Sequence, residues 1–151
     1  YWDNLAFSFA QTGIIFASLI IVTGALWAKP VWGVWWTWDP KLTTTVILWF
    51  IFSAYLLIRN LIEDKKRAAL IGAIIALLGS IDAPLIYFAS ILWRTAHPEL
   101  NIGPLADEEN SGLPSSMLLT FFISLLAHTF LFSILVRMRL RVKELERLTY
   151  E

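Results

Sequence analysis

Four tryptophans lie within seven positions of one short stretch, WGVWWTWDP, at residues 32–40. Indole rings offer a ligand wide, flat stacking surfaces and lose little rotamer entropy when they are held in place. If the stretch is helical, the first three of these rings share one face; if it is extended, the last two do. Either conformation predicts a shallow apolar surface that suits a large flat ligand. The four rings belong to Trp32, Trp35, Trp36 and Trp38.

A candidate metal ligand follows further along the chain, at His97 in WRTAHPELNIGP. A neutral imidazole is a common metal ligand, and haem iron is one of the metals it binds. A solvated loop histidine without a ligand is the alternative interpretation. The sequence has no cysteine and no HxxxH or CxxC pattern, so a cluster with several protein ligands is not expected. We find no nucleophile–base pair or triad, and we assign no catalytic residue.

Asp39 and Pro40 close the tryptophan-rich stretch. Aspartate is favoured at the N-cap of a helix, and proline is favoured at the first helical position. The sequence therefore predicts that Asp39 caps a helix that begins here, and that its carboxylate can also orient a neighbouring indole N–H. We do not interpret Asp39 as a catalytic acid.

The elements that must position these residues are long apolar blocks. Of the 151 residues, 58% are hydrophobic, and the mean hydropathy is +0.65. A soluble domain of this composition would have too little polar surface, whereas each block is long enough to span ~30 Å of hydrocarbon as a helix. We predict an all-α integral membrane bundle with four transmembrane helices, forming a single transmembrane domain over 1–151. The helices are expected at about residues 5–28, 41–61, 68–93 and 115–138.

Charged residues are distributed unevenly, although the formal net charge is +0. The connection between the second and third predicted helices reads RNLIEDKKRAA, and the tail at 139–151 reads RLRVKELERLTYE. Positive charge beside a membrane helix marks the cytoplasmic side. We therefore expect a plasma or inner membrane protein with both ends of this chain cytoplasmic and with the outer loops 29–40 and 94–114 on the periplasmic or extracytoplasmic side. The basic cytoplasmic tail is expected to anchor the topology or to attract anionic lipid or a soluble partner.

An aromatic belt at the membrane interface is the alternative interpretation of the tryptophans. It accounts for Trp27, Trp49 and Trp93. A belt needs only one or two rings at each helix end, however, so it accounts poorly for four rings in seven residues. Ligand binding is the interpretation that we favour for the cluster.

Two ionisable residues, Asp82 and His128, lie in the interior of the predicted spans, away from their ends. Such residues are costly in lipid and often mark functional sites. Pro84 cannot donate to the carbonyl of Ser80, so a kink is expected near Asp82. The alternatives for Asp82 are a proton relay and a buried hydrogen bond at the kink. For His128 we expect a neutral imidazole that bonds to a neighbouring helix.

The segments around the tryptophans resemble a known family. WGVWWTWDPKLTT is similar to the tryptophan-rich WWD motif of haem-handling membrane proteins in cytochrome c maturation, a superfamily that includes CcmC, CcmF and CcsA. TGALWAKPVWG, KLTTTVILWF and PLIYFASILWRTAHP resemble the CcmC type in particular. The resemblance covers roughly residues 3–140.

This resemblance implies a role in haem handling. Proteins of the CcmC type hold haem at the outer membrane face between the WWD loop and two outer histidines, and they promote its attachment to the haem chaperone CcmE. They work in the lipid bilayer with the ABC-transporter subunits CcmA and CcmB and the small membrane protein CcmD; no nucleic acid is implied. The ligand is haem b, bound transiently, and His97 takes the place of the second outer histidine as an axial ligand of the iron. The other implied haem-binding residues are Trp32, Trp35, Trp36, Trp38 and Asp39.

The family's first outer histidine lies on a helix that has no counterpart in this sequence. We therefore expect that two N-terminal helices are lacking, together with the second axial ligand. Whether such a protein is an enzyme stays open, because a haem-lyase-like factor of this kind has no classical catalytic residues. A transmembrane transporter subunit and a non-catalytic membrane scaffold are the alternative functions.

Three basic residues lie in or directly beside the predicted outer loops. Haem carries two propionates, and cations form charge-assisted hydrogen bonds with carboxylates. We therefore expect one or more of these residues to pair with propionates. They are Lys29, Lys41 and Arg94.

Overall fold

Four α-helices make up the regular structure of residues 1–93, 97 and 114–150, which are the residues that the structure, a computed structural model, describes. Each helix is long and apolar enough to cross a membrane. The predicted all-α fold class with four membrane-length helices is confirmed. The helices are α1 (Trp2–Trp32), α2 (Pro40–Leu61), α3 (Lys65–Leu92) and α4 (Ser115–Tyr150).

The beginning of α2 agrees with the predicted cap. Asp39 is the N-cap residue, and its Oδ1 accepts a hydrogen bond from the backbone N–H of Leu42 at 2.9 Å. Pro40 is the first helical residue, where its missing N–H removes no helical hydrogen bond. The position of Asp39 is therefore fixed by the first turn of α2.

The end of α1 differs from the prediction. The helix continues through Pro30 to Trp32 rather than ending near residue 28. Pro30 removes only one hydrogen bond, and the last turn is closed by Gly33, whose N–H donates to the carbonyl of Lys29 at 3.0 Å. Gly33 has φ +77°, a left-handed conformation that glycine adopts at little cost after a helix. The connection to α2 is thus 33–39 rather than 29–40, and Trp32 belongs to the helix.

The last helix is also longer than predicted. Instead of a helix over 115–138 followed by a separate tail at 139–151, α4 continues to Tyr150. Leucine, lysine, glutamate and arginine, which dominate this segment, are good helix formers, and neither proline nor glycine interrupts them. Lys143 and Glu146 form an i,i+3 ion pair at 3.9 Å. The basic segment is therefore a helical extension of the span.

The described residues fall into two compact units. In the unit formed by residues 1–12 and 114–150, the rings of Phe9 and Phe132 lie 5.5 Å apart, and Lys143 Nζ lies 4.3 Å from the centroid of the Phe7 ring. His128 is exposed, and its Nδ1–H donates to the carbonyl of Ser124 in the same helix at 2.7 Å. The expectation of a single transmembrane domain stays a prediction.

The unit formed by residues 13–93 and 97 contains α2, α3 and most of α1. Trp49 of α2 donates its indole N–H to Ser18 Oγ of α1 at 2.8 Å. In α3, Asp82 is only 7% exposed, and its Oδ2 has no hydrogen-bond partner within the described part of the chain. The helix continues through Pro84. Asp82 is therefore buried, while the choice between a proton relay and a buried hydrogen bond stays open.

Close approach between α2 and α3 depends on small residues. A Cβ atom at Gly79 would lie 2.9 Å from Phe52 Cε2, and one at Gly72 would lie 2.9 Å from Tyr55 Cε2. Contacts this short are not tolerated, so a larger residue at either position would push the helices or the rings apart. Small residues are enriched at helix interfaces in membranes for this reason.

Replacing Gly79 by alanine is expected to destabilise the protein by about 1–2 kcal/mol, because overpacking a well-packed contact costs energy of this order. The matched control is Gly24→Ala, because a Cβ there meets nothing within 4 Å and alanine favours the helix. Thermal unfolding in detergent, followed by circular dichroism, measures both variants. Equal midpoints for the two variants would contradict the packing argument.

Candidate functional site

The imidazole of His97 is held from two directions. Its Nδ1 lies 3.1 Å from Asp39 Oδ2, and its ring lies 5.2 Å from the ring of Trp32 at an interplanar angle of 78°. The Asp39 side chain is 8% exposed and that of His97 is 21% exposed. A carboxylate contact and an edge-to-face aromatic contact together restrict the orientation of the ring.

The carboxylate also selects a tautomer. An ionised carboxylate only accepts hydrogen bonds, so the His97 nitrogen that faces it, Nδ1, is the donor. In the neutral imidazole the lone pair is then on Nε2. Histidines that bind metals commonly donate their other N–H to a carboxylate, which fixes the ring and raises the basicity of the ligand nitrogen. The Asp39–His97 pair therefore has the chemistry of a metal-ligating histidine with its supporting carboxylate.

Asp39 anchors the Asp39–His97 pair to the first turn of α2. Its Oδ1 caps α2, while its Oδ2 contacts His97 at 3.1 Å and accepts a weaker hydrogen bond from Thr37 Oγ1 at 3.4 Å. A carboxylate at a helix N-terminus is stabilised by the helix dipole. The sequence predicted the cap but suggested an indole N–H as its second partner; among the described contacts that partner is the imidazole, 58 positions away.

Trp32 lies between His97 and a second tryptophan. The ring of Trp27 is 5.2 Å from that of Trp32 at an interplanar angle of 83°, and both residues belong to α1. The sequence interpretation assigned Trp27 to an aromatic belt and did not connect it with the site. Because the predicted helix ended near residue 28, Trp27 and Trp32 were not expected to lie on the same helix, and their contact was not predicted.

The other three tryptophans lie in the connection at 33–39. Trp36 and Trp38 pack edge to face with ring centroids 5.7 Å apart, which agrees with the extended alternative for this stretch. Trp35 is 55% exposed and Trp38 is 75% exposed. The connection therefore has exposed indole surface.

The Trp36 side chain differs from these two. Its Nε1 is buried and has no hydrogen-bond partner among residues 1–93, 97 and 114–150. Buried indole N–H groups usually have a partner. A bound acceptor at the site would satisfy this donor.

The three basic residues expected to pair with propionates have different positions. Lys29 Nζ donates to the carbonyl of Gly33 at 2.9 Å and lies 6.0 Å from the centroid of the Trp35 ring, so it stabilises the connection itself. Lys41 lies in the first turn of α2, and Arg94 lies outside the described residues. Pairing with propionates stays a prediction.

No group of three or more histidine, cysteine, aspartate or glutamate side chains within the described ranges could hold a metal ion. Haem does not require such a group, because the porphyrin supplies the equatorial ligands and the protein supplies axial ones. One oriented histidine that packs against the Trp32 ring is thus a donor set that fits haem.

The chain matches a known protein family. The profile of the CcmC family, heme exporter protein C, matches residues 2–150. This chain belongs to the heme exporter protein C family. The family identified from the WWD motif and the WRTAHP segment is thereby confirmed.

Several relatives carry the name heme exporter protein C. The protein of Bradyrhizobium diazoefficiens is 32% identical over 130 residues, which are 86% of this chain and 48% of the relative. That of Escherichia coli K12 is 34% identical over 95 residues, 62% of this chain and 39% of the relative. That of Haemophilus influenzae is 31% identical over 137 residues, 91% of this chain and 54% of the relative. The chain spans about half the length of these heme exporter proteins or less.

Proposed function

We propose that this chain binds haem on the outer side of a membrane and presents it for cytochrome c maturation. In this proposal the rings of the tryptophan connection stack on the porphyrin, and His97 Nε2 is an axial ligand of the iron. The receiving protein is the haem chaperone CcmE. The other partners are the ABC-transporter subunits CcmA and CcmB and the small membrane protein CcmD.

The observation that carries this proposal is the hydrogen bond between Asp39 and His97 at 3.1 Å. It supports an Nδ1–H that faces the carboxylate, which leaves Nε2 as the ring nitrogen available to a ligand, and it supports an orientation held by the first turn of α2. A solvated loop histidine is expected to hydrogen-bond to water, whereas His97 contacts a carboxylate whose side chain is only 8% exposed. The pair therefore favours ligation over the alternative of a histidine without a ligand.

The surroundings fit haem b in two further ways. The exposed rings of Trp35 and Trp38 provide apolar stacking surface next to this pair in the chain, and a flat macrocycle gains from such contacts. The buried Trp36 N–H offers a hydrogen bond to an acceptor on the ligand. Binding is expected to be transient, because a protein that presents haem must release it.

Charge supports the orientation that we propose. Basic residues are concentrated in the last turn of α2, in the first turn of α3 and in the last third of α4, so these segments are cytoplasmic by the positive-inside rule. The connection at 33–39 and His97 are then on the periplasmic side of the inner membrane. Both ends of this chain are cytoplasmic.

Haem titration of the full-length protein in lipid nanodiscs, followed at the Soret band, tests the proposal. The double variant Trp35→Ala/Trp38→Ala is expected to bind haem about tenfold more weakly, because it loses two stacking surfaces. The matched control is Trp2→Ala, which removes a ring of similar exposure, 78% against 75% for Trp38, from outside the connection. If the unaltered protein gives no Soret band, or if the double variant retains full affinity, the proposal is wrong and a scaffold role is favoured.

A further inference from the structure

The indole N–H of Trp36 is a buried donor without an acceptor in the described part of the chain. The indole N–H of Trp49, in contrast, donates to Ser18 Oγ at 2.8 Å. Leaving such a group unpaired costs the free energy of its desolvation, and native proteins rarely do so without a functional reason. Because an indole N–H can only donate, it requires a hydrogen-bond acceptor.

The nearest carboxylate in the sequence does not supply that acceptor. Asp39 Oδ1 accepts from Leu42 N–H, and Oδ2 contacts His97 and Thr37. Both oxygens are therefore engaged by other groups. The connection that carries Trp36 is held at one end by the closing turn at Gly33 and at the other by the Asp39 cap. The backbone on both sides of Trp36 is therefore anchored to a helix.

The position of Trp36 beside an exposed ring indicates what the acceptor belongs to. The ring centroids of Trp36 and Trp38 are 5.7 Å apart, and a porphyrin is wider than this distance. A porphyrin that stacks on the 75% exposed ring of Trp38 is therefore wide enough to extend to Trp36. Iron occupies the nitrogens of haem, so the propionates are the acceptors at its edge.

We propose that the Trp36 indole N–H recognises a propionate carboxylate of the bound porphyrin and so selects ligands with free acid groups. This inference rests on the proposed function, since it requires that haem binds at the connection. A hydrogen bond to an ionised acceptor is stronger than one to a neutral acceptor. Esterifying the propionates should therefore weaken binding through Trp36 while leaving stacking and iron ligation intact.

The experiment compares haem with haem dimethyl ester in Soret titrations of the full-length protein in nanodiscs. Trp36→Phe is expected to weaken haem binding about tenfold and to leave binding of the dimethyl ester unchanged. A second variant carries benzothienylalanine at position 36, which retains the size of the indole and lacks the N–H. It keeps the test valid if phenylalanine disturbs the fold, and we expect the same loss of discrimination.

Trp93→Phe is the control, because it removes an indole N–H from a ring outside the connection, and it should retain the preference for haem over the ester. Equal weakening of haem and ester in both position-36 variants would assign Trp36 to stacking and overturn the inference while leaving haem binding intact. Unchanged affinity for both ligands would also overturn it. If the unaltered protein binds neither ligand, the proposed function itself is wrong and the inference fails with it.

Discussion

Replacing His97 by alanine is expected to weaken haem binding by at least about tenfold, which corresponds to ~1.4 kcal/mol. The reason is the loss of the proposed axial nitrogen, on a ring that Asp39 and Trp32 hold in one orientation. The absorption spectrum of the full-length protein with bound haem should change to that of a haem with fewer nitrogen ligands. Titration at the Soret band measures the affinity, and the band position measures the ligation.

The matched control is His128→Ala, which removes the other histidine of the chain. That variant should keep the spectrum and the affinity of the unaltered protein. Added imidazole should restore the original band position in His97→Ala, because the free ligand can enter the space that the side chain leaves. A His97→Ala protein with an unchanged band and affinity would exclude His97 as an axial ligand.

Replacing Asp39 by asparagine is expected to separate the two roles of this residue. Asparagine is as good an N-cap as aspartate, so it can still accept from the Leu42 N–H while its amide group faces His97. An amide N–H cannot accept from Nδ1–H, which favours the tautomer that carries the proton on Nε2. Haem affinity should fall about 10–100-fold, the usual effect of removing a supporting carboxylate, while the free energy of unfolding stays within ~0.5 kcal/mol.

Asp64→Asn is the control for this prediction. Asp64 caps α3 by accepting hydrogen bonds from the backbone N–H groups of Lys66 and Arg67. The control therefore replaces a capping carboxylate by an amide, as Asp39→Asn does, at a cap whose described hydrogen bonds do not include a histidine. We also expect the reduction potential of the bound haem to rise in Asp39→Asn, because the imidazole becomes a weaker donor to the iron. If affinity and potential match those of the unaltered protein, the hydrogen bond does not support the ligand.

The existence of the four helices followed from composition, because membrane spans depend mainly on the sum of side-chain hydropathies. The cap at Asp39 was equally local, since it involves residues only three positions apart. The helix ends at Trp32 and Tyr150 were harder to predict. Pro30 lies near the end of α1, where a proline is compatible with either a helix or a loop. The charged segment at the end of α4 has no helix breaker and is also compatible with both. Tertiary context decides between helix and loop in both cases.

The sequence by itself determined which chemical groups are available to the candidate site, namely a dense set of indoles, a capping carboxylate and one histidine. It also identified the family, because the WWD motif and the WRTAHP segment are each an unbroken stretch of sequence that can be recognised without the structure. Only the tertiary structure decided that Asp39 contacts His97, that Trp32 packs against the imidazole from the end of α1, and that the Trp36 N–H has no described acceptor. The physical reason is that hydropathy and capping act between neighbours in the chain, whereas a contact across 58 positions exists only where the folded helices bring the two segments together.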